Sequence, residues 1–377
     1  MTLSVDAVRS AEDFSLFVDL PWSIHRDHPF WTPPLKSQEK NLLTPGAHPF
    51  WESASRELFL VRRHGRPVGR VAAIVDRKYN DYAGEKCGAF GFFECAHDPA
   101  AAHALLDAAR DWLAGQGMAF MRGPLNPSTN YTCGLLVDGF DLPPVIMMPW
   151  NPPYYAEMLE SWHLRKERDL FAYLIERRSL ALPEWLTQEV ARLRAEGRFS
   201  CRTSSRATLV GDIRDMLDLY RDSWAQNWGF SPLSEAEAEC HVRELKSVLD
   251  PEFFVLFFHD GRPAAGMVAL PDMAPLLRRI NGRLGLSAVW HWWRARTEIR
   301  SGYRIILFGI REEYRLLGLP LLLLDFMLEQ ARRKKEFQWV EGSWVLEDNV
   351  AVNDLIEDFS GRLTKRYRIY RREIGAW

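Results

Sequence analysis

The chain has 377 residues, of which 47% are hydrophobic and 26% charged, and its formal net charge is −2. This composition is typical of a globular protein with a full core, and the length allows two ordinary domains. The small net charge excludes a global field that attracts nucleic acid, so any electrostatic targeting has to be local.

The cysteines and the apolar segments indicate the cellular compartment of the protein and its relation to the membrane. The five cysteines are widely spread and form no C-x-x-C pair, which disfavours both a disulfide framework and a structural zinc site. The first residues, MTLSVDAVRSAEDF, lack the basic start and apolar stretch of a secretory signal. The longest apolar run, Leu316–Leu324, is shorter than the ~18–20 residues that span a bilayer. We therefore expect a cytoplasmic protein without a transmembrane segment.

The N-terminal half begins with a hairpin pattern. ELFLVRRHGRPVGRVAAIVD (57–76) predicts two strands around a His-Gly turn, and CGAFGFFECAHD predicts a buried strand. Residues 99–117 have helical spacing, with a proline near the start and a glycine near the end. MAFMRGPLN predicts a further strand, and NPPYYAEMLESWHL predicts a short helix.

The C-terminal half repeats this order. EFFVLFFHDGRPAAGMVAL (252–270) predicts a hairpin around Asp260-Gly261. A strand, a helix, a strand, a short helix and a final strand follow in RIILFGI, LPLLLLDFMLEQARRKK, FQWVEGSWVLED, NVAVNDLIEDFSG and KRYRIYRREI. The repeat predicts an α/β fold of two units, each a mixed central sheet flanked by helices. We place the units at residues 1–177 and 178–377, with the link in the polar segment 177–200.

Residues 310–320, IREEYRLLGLP, form the loop between the fourth strand of the C-terminal half and its helix. Unpaired N–H groups at a helix N-terminus can bind pyrophosphate without a dedicated side chain. Gly318 allows close approach of the backbone, and Arg311 or Arg315 adds positive charge. The alternative is a well-packed strand–helix corner, since Pro320 suits a first helical turn and the leucines bury one face. The loop alone leaves both interpretations open.

The duplicated order and this loop resemble the GNAT acyltransferase superfamily in a tandem arrangement. The family loop places Gln or Arg three positions before a glycine, which Arg315 and Gly318 match, while Pro320 replaces a second small residue. Asn349 matches the asparagine that opens the family's fourth helix, but Ile356 stands in place of a tyrosine. In the first unit, FECAHDPAAAHALL has no Arg-x-x-Gly, so we expect no coenzyme A binding there. The resemblance implies acyl-CoA as co-substrate, bound in the second unit by Ile310, Arg311, Arg315, Leu317, Gly318, Leu319 and Asn349.

The resemblance also implies direct transfer of an acyl group from a thioester to an amine, which must lose a proton. A carboxylate or a water chain can accept that proton, and backbone N–H groups can stabilise the oxyanion. The candidate bases are Glu341, Glu347 and Glu94. Glu341 can instead pair with an arginine of the final strand, and Glu347 can cap a helix. The acid that protonates the thiolate is open among Tyr314, Tyr367 and Tyr370.

Two further segments are candidate acceptor surfaces. GPLNPSTNYTCG (123–134) and SWAQNWGFSP (223–232) lie where GNAT folds place elements that begin or line the acceptor groove. They offer Asn130, Tyr131, Asn227 and Trp228, although both segments can also be ordinary turns. No Ser-His-Asp or His-Cys pattern is present, His25 and His28 are interpreted as loop residues, and no metal site is predicted.

An insertion, residues 275–302, separates the second hairpin from the fourth strand. It carries six arginines against a single acid, Glu298, with leucines and three tryptophans interleaved. Cationic residues beside Trp and Leu are typical of a segment at a membrane interface. We predict contact with anionic lipid through Trp290, Trp292, Trp293, Arg294 and Arg296. The alternative is an amphipathic helix packed on the other domain.

Several of these segments together are similar to the bacterial ceramide synthases: the insertion, the loop around Arg315, GSWVLEDN and the terminal KRYRIYRRE. This resemblance implies N-acylation of a sphingoid base by a long-chain acyl-CoA, at the inner face of the membrane. Two alternatives stay open. One is a soluble tandem GNAT enzyme that acts on small or aminoacyl substrates, and the other is a non-catalytic scaffold, favoured by Pro320 and Ile356.

Overall fold

The computed structural model describes residues 3–180 and 184–375, so that residues 181–183 of the predicted link lie outside the described residues. In the N-terminal half the elements are β1 (Leu3–Ala7), α1 (Ala11–Ile24), α2 (Lys36–Leu43), β2 (Ala54–Arg63), β3 (Arg66–Asp76), α3 (Arg77–Ala83), β4 (Cys87–Cys95), α4 (Pro99–Gly115), β5 (Phe120–Gly123), β6 (Leu125–Asn126), β7 (Thr132–Cys133), β8 (Leu135–Asp138), α5 (Tyr154–Ser161) and β9 (Arg165–Glu176). In the C-terminal half they are α6 (Glu184–Ala195), β10 (Ser200–Thr203), α7 (Leu209–Trp224), α8 (Glu235–Val248), β11 (Phe254–His259), β12 (Arg262–Pro271), α9 (Ala274–Ile280), α10 (Ser287–Ser301), β13 (Gly302–Ile310), α11 (Leu319–Arg333), β14 (Trp339–Leu346), α12 (Val350–Asp358) and β15 (Arg362–Glu373).

The chain forms two compact units. The first unit comprises Met1–Leu170, Leu276–His291 and Lys365–Trp377, and the second comprises Phe171–Pro275 and Trp292–Thr364. These units differ from the division into residues 1–177 and 178–377 in three places: residues 171–177, residues 276–291 of the insertion, and the last strand. The division of the chain into two independent domains at residue 177 stays a prediction.

The first unit is built on a mixed sheet in the order β1-β2-β3-β4-β5-β15. Neighbouring strands are antiparallel except β4 and β5, which are parallel. Helix α4 connects these two parallel strands and buries Leu105, Leu106 and Leu113 in the core of the unit. Its apolar residues recur at helical spacing because one face covers the sheet.

The second unit repeats the arrangement in the order β10-β11-β12-β13-β14-β9. The antiparallel strands β10 to β13 are followed by the parallel pair β13 and β14, which helix α11 connects. Leu319, Leu322, Leu323 and Phe326 of α11 lie in the core of this unit. The predicted fold class, two α/β units with mixed sheets flanked by helices, is confirmed.

Each sheet is completed by a strand from the other half of the sequence. In the first unit β15 pairs with β5, from Tyr370 opposite Gly123 to Glu373 opposite Phe120. In the second unit β9, from the N-terminal half, lies next to β14. The order of elements along the chain therefore does not predict which strand completes each sheet.

Candidate active site

The two parallel strands of the second unit stop pairing part-way along their length, and we call the unpaired stretch beyond the last pair the gap. Gly302 pairs with Trp339 and Ile305 with Gly342, and within the described residues the pairing of β13 with β14 ends there. An extra residue bulges β13 against β12 next to this point. Ile306 and Trp344, at the two sides of the opening, are only partly buried. Beyond the last pair, the edges of β13 and β14 that face each other are not paired with one another among the described residues.

The loop from β13 to α11 presents main-chain donors at one end of this gap. Within the part of the chain that the structure describes, the amides of Leu316, Gly318 and Leu319 have no hydrogen-bond acceptor. Gly318 is the N-cap residue of α11, with φ of 82°, and the first turn of the helix holds no acidic residue. The positive end of the helix dipole is therefore not neutralised by the helix's own side chains, the arrangement that binds phosphate groups.

The two arginines of the loop have different surroundings. Arg311 is buried; its Nε donates to the carbonyl of Pro263 at 2.7 Å and its guanidinium pairs with Asp222. Arg315 is exposed, and one of its nitrogens donates to the carbonyl of Ser223 at 3.2 Å. Arg311 thus anchors the end of β13 to the neighbouring hairpin, whereas Arg315 is the arginine of the loop that solvent and a ligand can reach.

Asn349 is the N-cap residue of α12, but its side chain makes no capping hydrogen bond. Ile356, at the position of the family tyrosine, lies 3.8 Å from the point where a Cβ on Gly342 would stand. The hydroxyl of Tyr314 is 3.5 Å from Nδ1 of His259, and its ring packs edge-on against Phe199. The structure therefore places the apolar side chain of Ile356 beside β14 and places Tyr314 in an aromatic cluster.

Glu341 lies on β14 just before the gap and is buried. Its neighbour in the parallel pairing is Arg304 of β13. The hydroxyl of Ser343 donates to Glu341 Oε1 at 2.9 Å and accepts from Arg304 Nε at 3.0 Å. A proton accepted by Ser343 can thus be passed to Glu341. Glu347 is partly buried beyond the end of β14, where its carbonyl accepts from the side chain of Asn353.

The corresponding gap in the first unit is filled. The pairing of β4 with β5 runs as far as Ala89 opposite Arg122. Just beyond, the N–H of Phe92 donates to Asn126 Oδ1 at 2.5 Å, and a Cβ on Gly91 would lie 1.7 Å from the carbonyl oxygen of Leu125. In the first unit, residues 125–126 of the chain therefore lie against β4 just beyond the last strand pair.

The helix that follows β4 is also closed to anions. Asp98 caps α4, its side chain accepts from the N–H of Ala101, and Arg63 pairs with it. The hydrogen bond from Arg63 lowers the pKa of Asp98 below its ordinary value, so the cap is an anion at neutral pH. A phosphate at this helix end would meet a carboxylate already bound there.

Glu94, the penultimate residue of β4, belongs to a buried polar cluster in the first unit. His25 Nε2 lies 2.6 Å from Glu94 Oε2, and the hydroxyl of Tyr155 donates to the same oxygen at 2.7 Å. Burial opposes ionisation, but His25, the charge of Arg70 and the hydroxyl of Tyr155 hold the pKa of Glu94 below its ordinary value. Glu94 is therefore a carboxylate at neutral pH.

His25 is the residue whose role the sequence analysis missed. It does follow the end of α1, as a loop residue, but it is only 2% exposed and binds Glu94, 69 positions away. His28, exposed, stacks on Trp150 with ring centroids 3.6 Å apart. The available sign was positional: IHRDHPFW lies at the end of a helix that precedes the first hairpin of its unit, and WAQNWGF lies at the end of a helix in the same position in the second unit.

The four predicted acceptor residues are divided between the two units. In the first unit, the N–H of Asn130 donates to Ser128 Oγ at 3.3 Å, and the ring of Tyr131 packs against His48 with centroids 5.6 Å apart. In the second unit, Asn227 and Trp228 lie in the turn between α7 and α8, where the N–H of Asn227 donates to the carbonyl of Trp224 at 2.8 Å. Their role as acceptor ligands stays a prediction.

Comparison with known proteins places the chain in a family. No protein-family model matches it. It is 32% identical over 378 residues to the Bacterial ceramide synthase of Caulobacter vibrioides (strain NA1000 / CB15N), covering 99% of this chain and 98% of that protein. The chain belongs to the bacterial ceramide synthase family. Protein YghO of Escherichia coli (strain K12), 29% identical over 374 residues, covers 96% of this chain, which covers 93% of YghO.

Solved structures show that this ceramide synthase family member has a tandem GNAT fold. A tandem GNAT protein from the clavulanic acid biosynthesis pathway matches with a TM-score of 0.54 at 14% identity, with full coverage of both chains. A GCN5-related N-acetyltransferase from Sphaerobacter thermophilus matches with a TM-score of 0.52 at 13% identity, over 99% of this chain and 96% of its own. With the family and the fold shown, the predicted class of N-acyltransferase is confirmed.

Among the described residues of this ceramide synthase family member, no helix is long and apolar enough to cross a membrane.

Proposed function

We propose that the chain transfers a long-chain acyl group from acyl-CoA to the primary amine of a sphingoid base. The observation that carries the proposal is the contrast between the two units. Only in the second unit do an open gap between parallel strands and a helix N-terminus with unpaired amides occur together among the described residues. The pyrophosphate of acyl-CoA would bind the amides around Gly318, and the thioester would lie in the gap.

The reaction follows from this placement. The neutral amine attacks the thioester carbonyl, the C–N bond forms, and the C–S bond breaks to release the coenzyme A thiolate. Main-chain N–H groups at the free edges of β13 and β14 would stabilise the oxyanion. The proton leaving the nitrogen would pass through the Ser343 hydroxyl to Glu341, which are 2.9 Å apart. The same proton, or one from water, would return to the thiolate.

The α10 helix supports a lipid acceptor, because several of its large apolar side chains are exposed to solvent. Ala295 and Ile299 form the buried side, one turn apart. The exposed apolar side chains include Leu286 (100% exposed), which directly precedes α10, and Val289 (75%), Trp290 (54%) and Trp293 (56%) within it. Arg296 lies over the ring of Trp293, 4.8 Å from its centroid. A helix that exposes tryptophans between arginines suits the headgroup region of an anionic membrane.

The same exposure weighs against the soluble alternative. If the insertion served only to pack a helix on the other domain, its tryptophans would be buried. Trp290, Trp292 and Trp293 are instead about half exposed. We therefore propose peripheral attachment to the inner face of the membrane through these tryptophans with Arg294 and Arg296.

The direct test is release of free thiol from palmitoyl-CoA or acetyl-CoA, with sphinganine, 3-ketosphinganine or a soluble amine as acceptor. We expect thiol release with palmitoyl-CoA and a sphingoid base, accompanied by formation of the amide. Release with short acyl donors and soluble amines alone would end the lipid proposal. Absence of acyl-CoA turnover and binding under all conditions would favour the non-catalytic scaffold.

Substitution of Gly318 by alanine tests the anion site. A Cβ there would lie 2.4 Å from a methyl group of Leu193, at a φ of 82° that L-residues adopt at a cost of about 1–2 kcal/mol. We expect the dissociation constant for palmitoyl-CoA to rise about tenfold, about 1.4 kcal/mol. Gly261→Ala is the matched control, because Gly261 has φ of 78° and open space around it. Calorimetric titration of both variants should show weakened binding for Gly318→Ala alone; equal affinities would contradict the assigned site.

A further inference from the structure

The first unit keeps an ionised carboxylate that acyl-CoA binding does not use. Glu94 accepts two hydrogen bonds, from His25 and Tyr155, and both go to the same oxygen, Oε2. Within the described residues the second oxygen, Oε1, has no hydrogen-bond partner, while the side chain of Glu94 is 16% exposed. The carboxylate is therefore fixed by its neighbours on one side and can accept a further donor on the other.

Aromatic rings surround the residues that hold this carboxylate. The ring centroid of His25 lies 5.3 Å from that of Trp31 and 5.7 Å from that of Trp150. Tyr155 packs edge-on against Phe93 at 5.3 Å. We call the group of Glu94, His25, Tyr155, Trp31 and Trp150 the Glu94 cluster. A carboxylate with nearby indole and phenol rings attracts a cation through both its charge and the ring faces.

The fold does not need charged groups at this place, as the second unit demonstrates. Gly309 is the penultimate residue of β13, and Glu94 is the penultimate residue of β4. Trp224 is the last residue of α7, and His25 directly follows the last residue of α1. A Cβ on Gly309 would lie 2.5 Å from the Trp224 ring, so an indole packs where the first unit has an imidazole and a carboxylate. Because replacing buried ionic groups by apolar packing of similar volume is often neutral or stabilising, the buried carboxylate of Glu94 calls for another reason.

We propose that the Glu94 cluster is a binding site for a primary ammonium group. The ammonium would donate to Glu94 Oε1, while His25, donating from Nε2, and Tyr155 hold the carboxylate in place. Arg70, the nearby cation, is occupied elsewhere: it donates to the carbonyl of Phe17 at 2.7 Å and pairs with Glu39 at 3.0 Å. The inference rests on the proposed function in one respect, that the sphingoid base named there is a ligand of this class.

The test is calorimetric titration of the full chain, without acyl-CoA, with sphinganine in neutral detergent micelles. N-acetylsphinganine is the matched ligand, because acetylation removes the ammonium and keeps the chain and hydroxyls. The variant is Glu94→Gln, which keeps the shape and the acceptor atom for His25 and Tyr155. Glu160→Gln is the matched control, since Glu160 also accepts from a tyrosine hydroxyl in the first unit, that of Tyr370 at 2.9 Å.

We expect wild type and Glu160→Gln to bind sphinganine at least tenfold more tightly than Glu94→Gln does. Wild type should bind N-acetylsphinganine at least tenfold more weakly than sphinganine, a comparison that needs no variant and therefore holds even if Glu94→Gln fails to fold. Equal binding of the two ligands, or sphinganine affinity of a folded Glu94→Gln within twofold of wild type, would overturn the proposal. A loss of kcat in Glu94→Gln with unchanged sphinganine affinity would also overturn it, because Glu94 would then be a base only.

The proposed function fails on a different measurement. Palmitoyl-CoA binding is expected to be the same in wild type, Glu94→Gln and Glu160→Gln. If no variant and no wild-type sample binds palmitoyl-CoA while sphinganine still binds, the acyltransferase proposal is wrong and the ammonium site stands. If palmitoyl-CoA binds, and sphinganine and N-acetylsphinganine bind equally tightly, the ammonium site is wrong and the acyltransferase proposal stands.

Discussion

Replacement of Glu341 by glutamine is expected to lower kcat by about 10²–10⁴-fold, the usual contribution of a positioned acid or base. The amide keeps the size of the carboxylate and still accepts from Ser343 Oγ, so the hydrogen-bonded group with Arg304 stays intact. It cannot take up the proton that the amine must lose. The affinity for palmitoyl-CoA should therefore be unchanged, and the loss should appear in the rate of amide formation under saturating substrates.

The control for this prediction is Glu347→Gln, the other candidate base of this segment, which directly follows β14 and is only partly buried. We expect its kcat to stay within about twofold of wild type. Ser343→Ala should reduce kcat as well, because the path from the gap to Glu341 passes through its hydroxyl. A fully active Glu341→Gln variant that binds both substrates normally would show that the proton leaves by another route.

The order of helices and strands could be predicted because it depends on local patterns. The hairpin at Asp260-Gly261 has both residues at positive φ, as its Asp-Gly sequence indicated. The leucines of α11 recur at the spacing of one buried helix face. The strand that completes each sheet could not be predicted in this way, since β15 and β5 are more than 230 positions apart and no turn joins them.

The candidate site was predicted unevenly for the same reason. Gly318 and Asn349 stand at fixed distances from a strand, so a motif can find them. The partner of Glu94 could not be found by spacing, because His25 lies on another element and reaches the carboxylate only in the folded unit. The filled gap in the first unit likewise depends on Asn126 bonding Phe92, a contact between strand β4 and a short segment whose sequence resembles an ordinary turn.

The exposed side of α10 supports a second prediction, on membrane binding. Trp290→Ala together with Trp293→Ala is expected to weaken binding to vesicles about a hundredfold. A tryptophan buries about 200 Å² at roughly 25 cal/mol per Å², and about half of each ring is exposed and available to lipid. For the two tryptophans together, the lost binding free energy is therefore at most about 5 kcal/mol. Incomplete burial of the rings in the lipid reduces the expected loss to about 3 kcal/mol. Tyr82→Ala, an exposed aromatic outside the insertion, should leave binding unchanged.

Charge reversal tests how much the arginines of the same surface contribute to membrane binding. Arg294→Glu with Arg296→Glu is expected to abolish binding to vesicles with anionic lipid, because each basic residue near such a surface contributes about 1 kcal/mol and reversal doubles the change. Arg206→Glu with Arg243→Glu alters the net charge equally at two exposed positions of the second unit and should have little effect. Wild-type binding should also weaken with salt as the Debye length falls from about 10 Å at 0.1 M to 3 Å at 1 M. Undiminished sedimentation of the Arg294/Arg296 variant with anionic vesicles, at unchanged thermal stability, would mean that α10 does not contact the membrane.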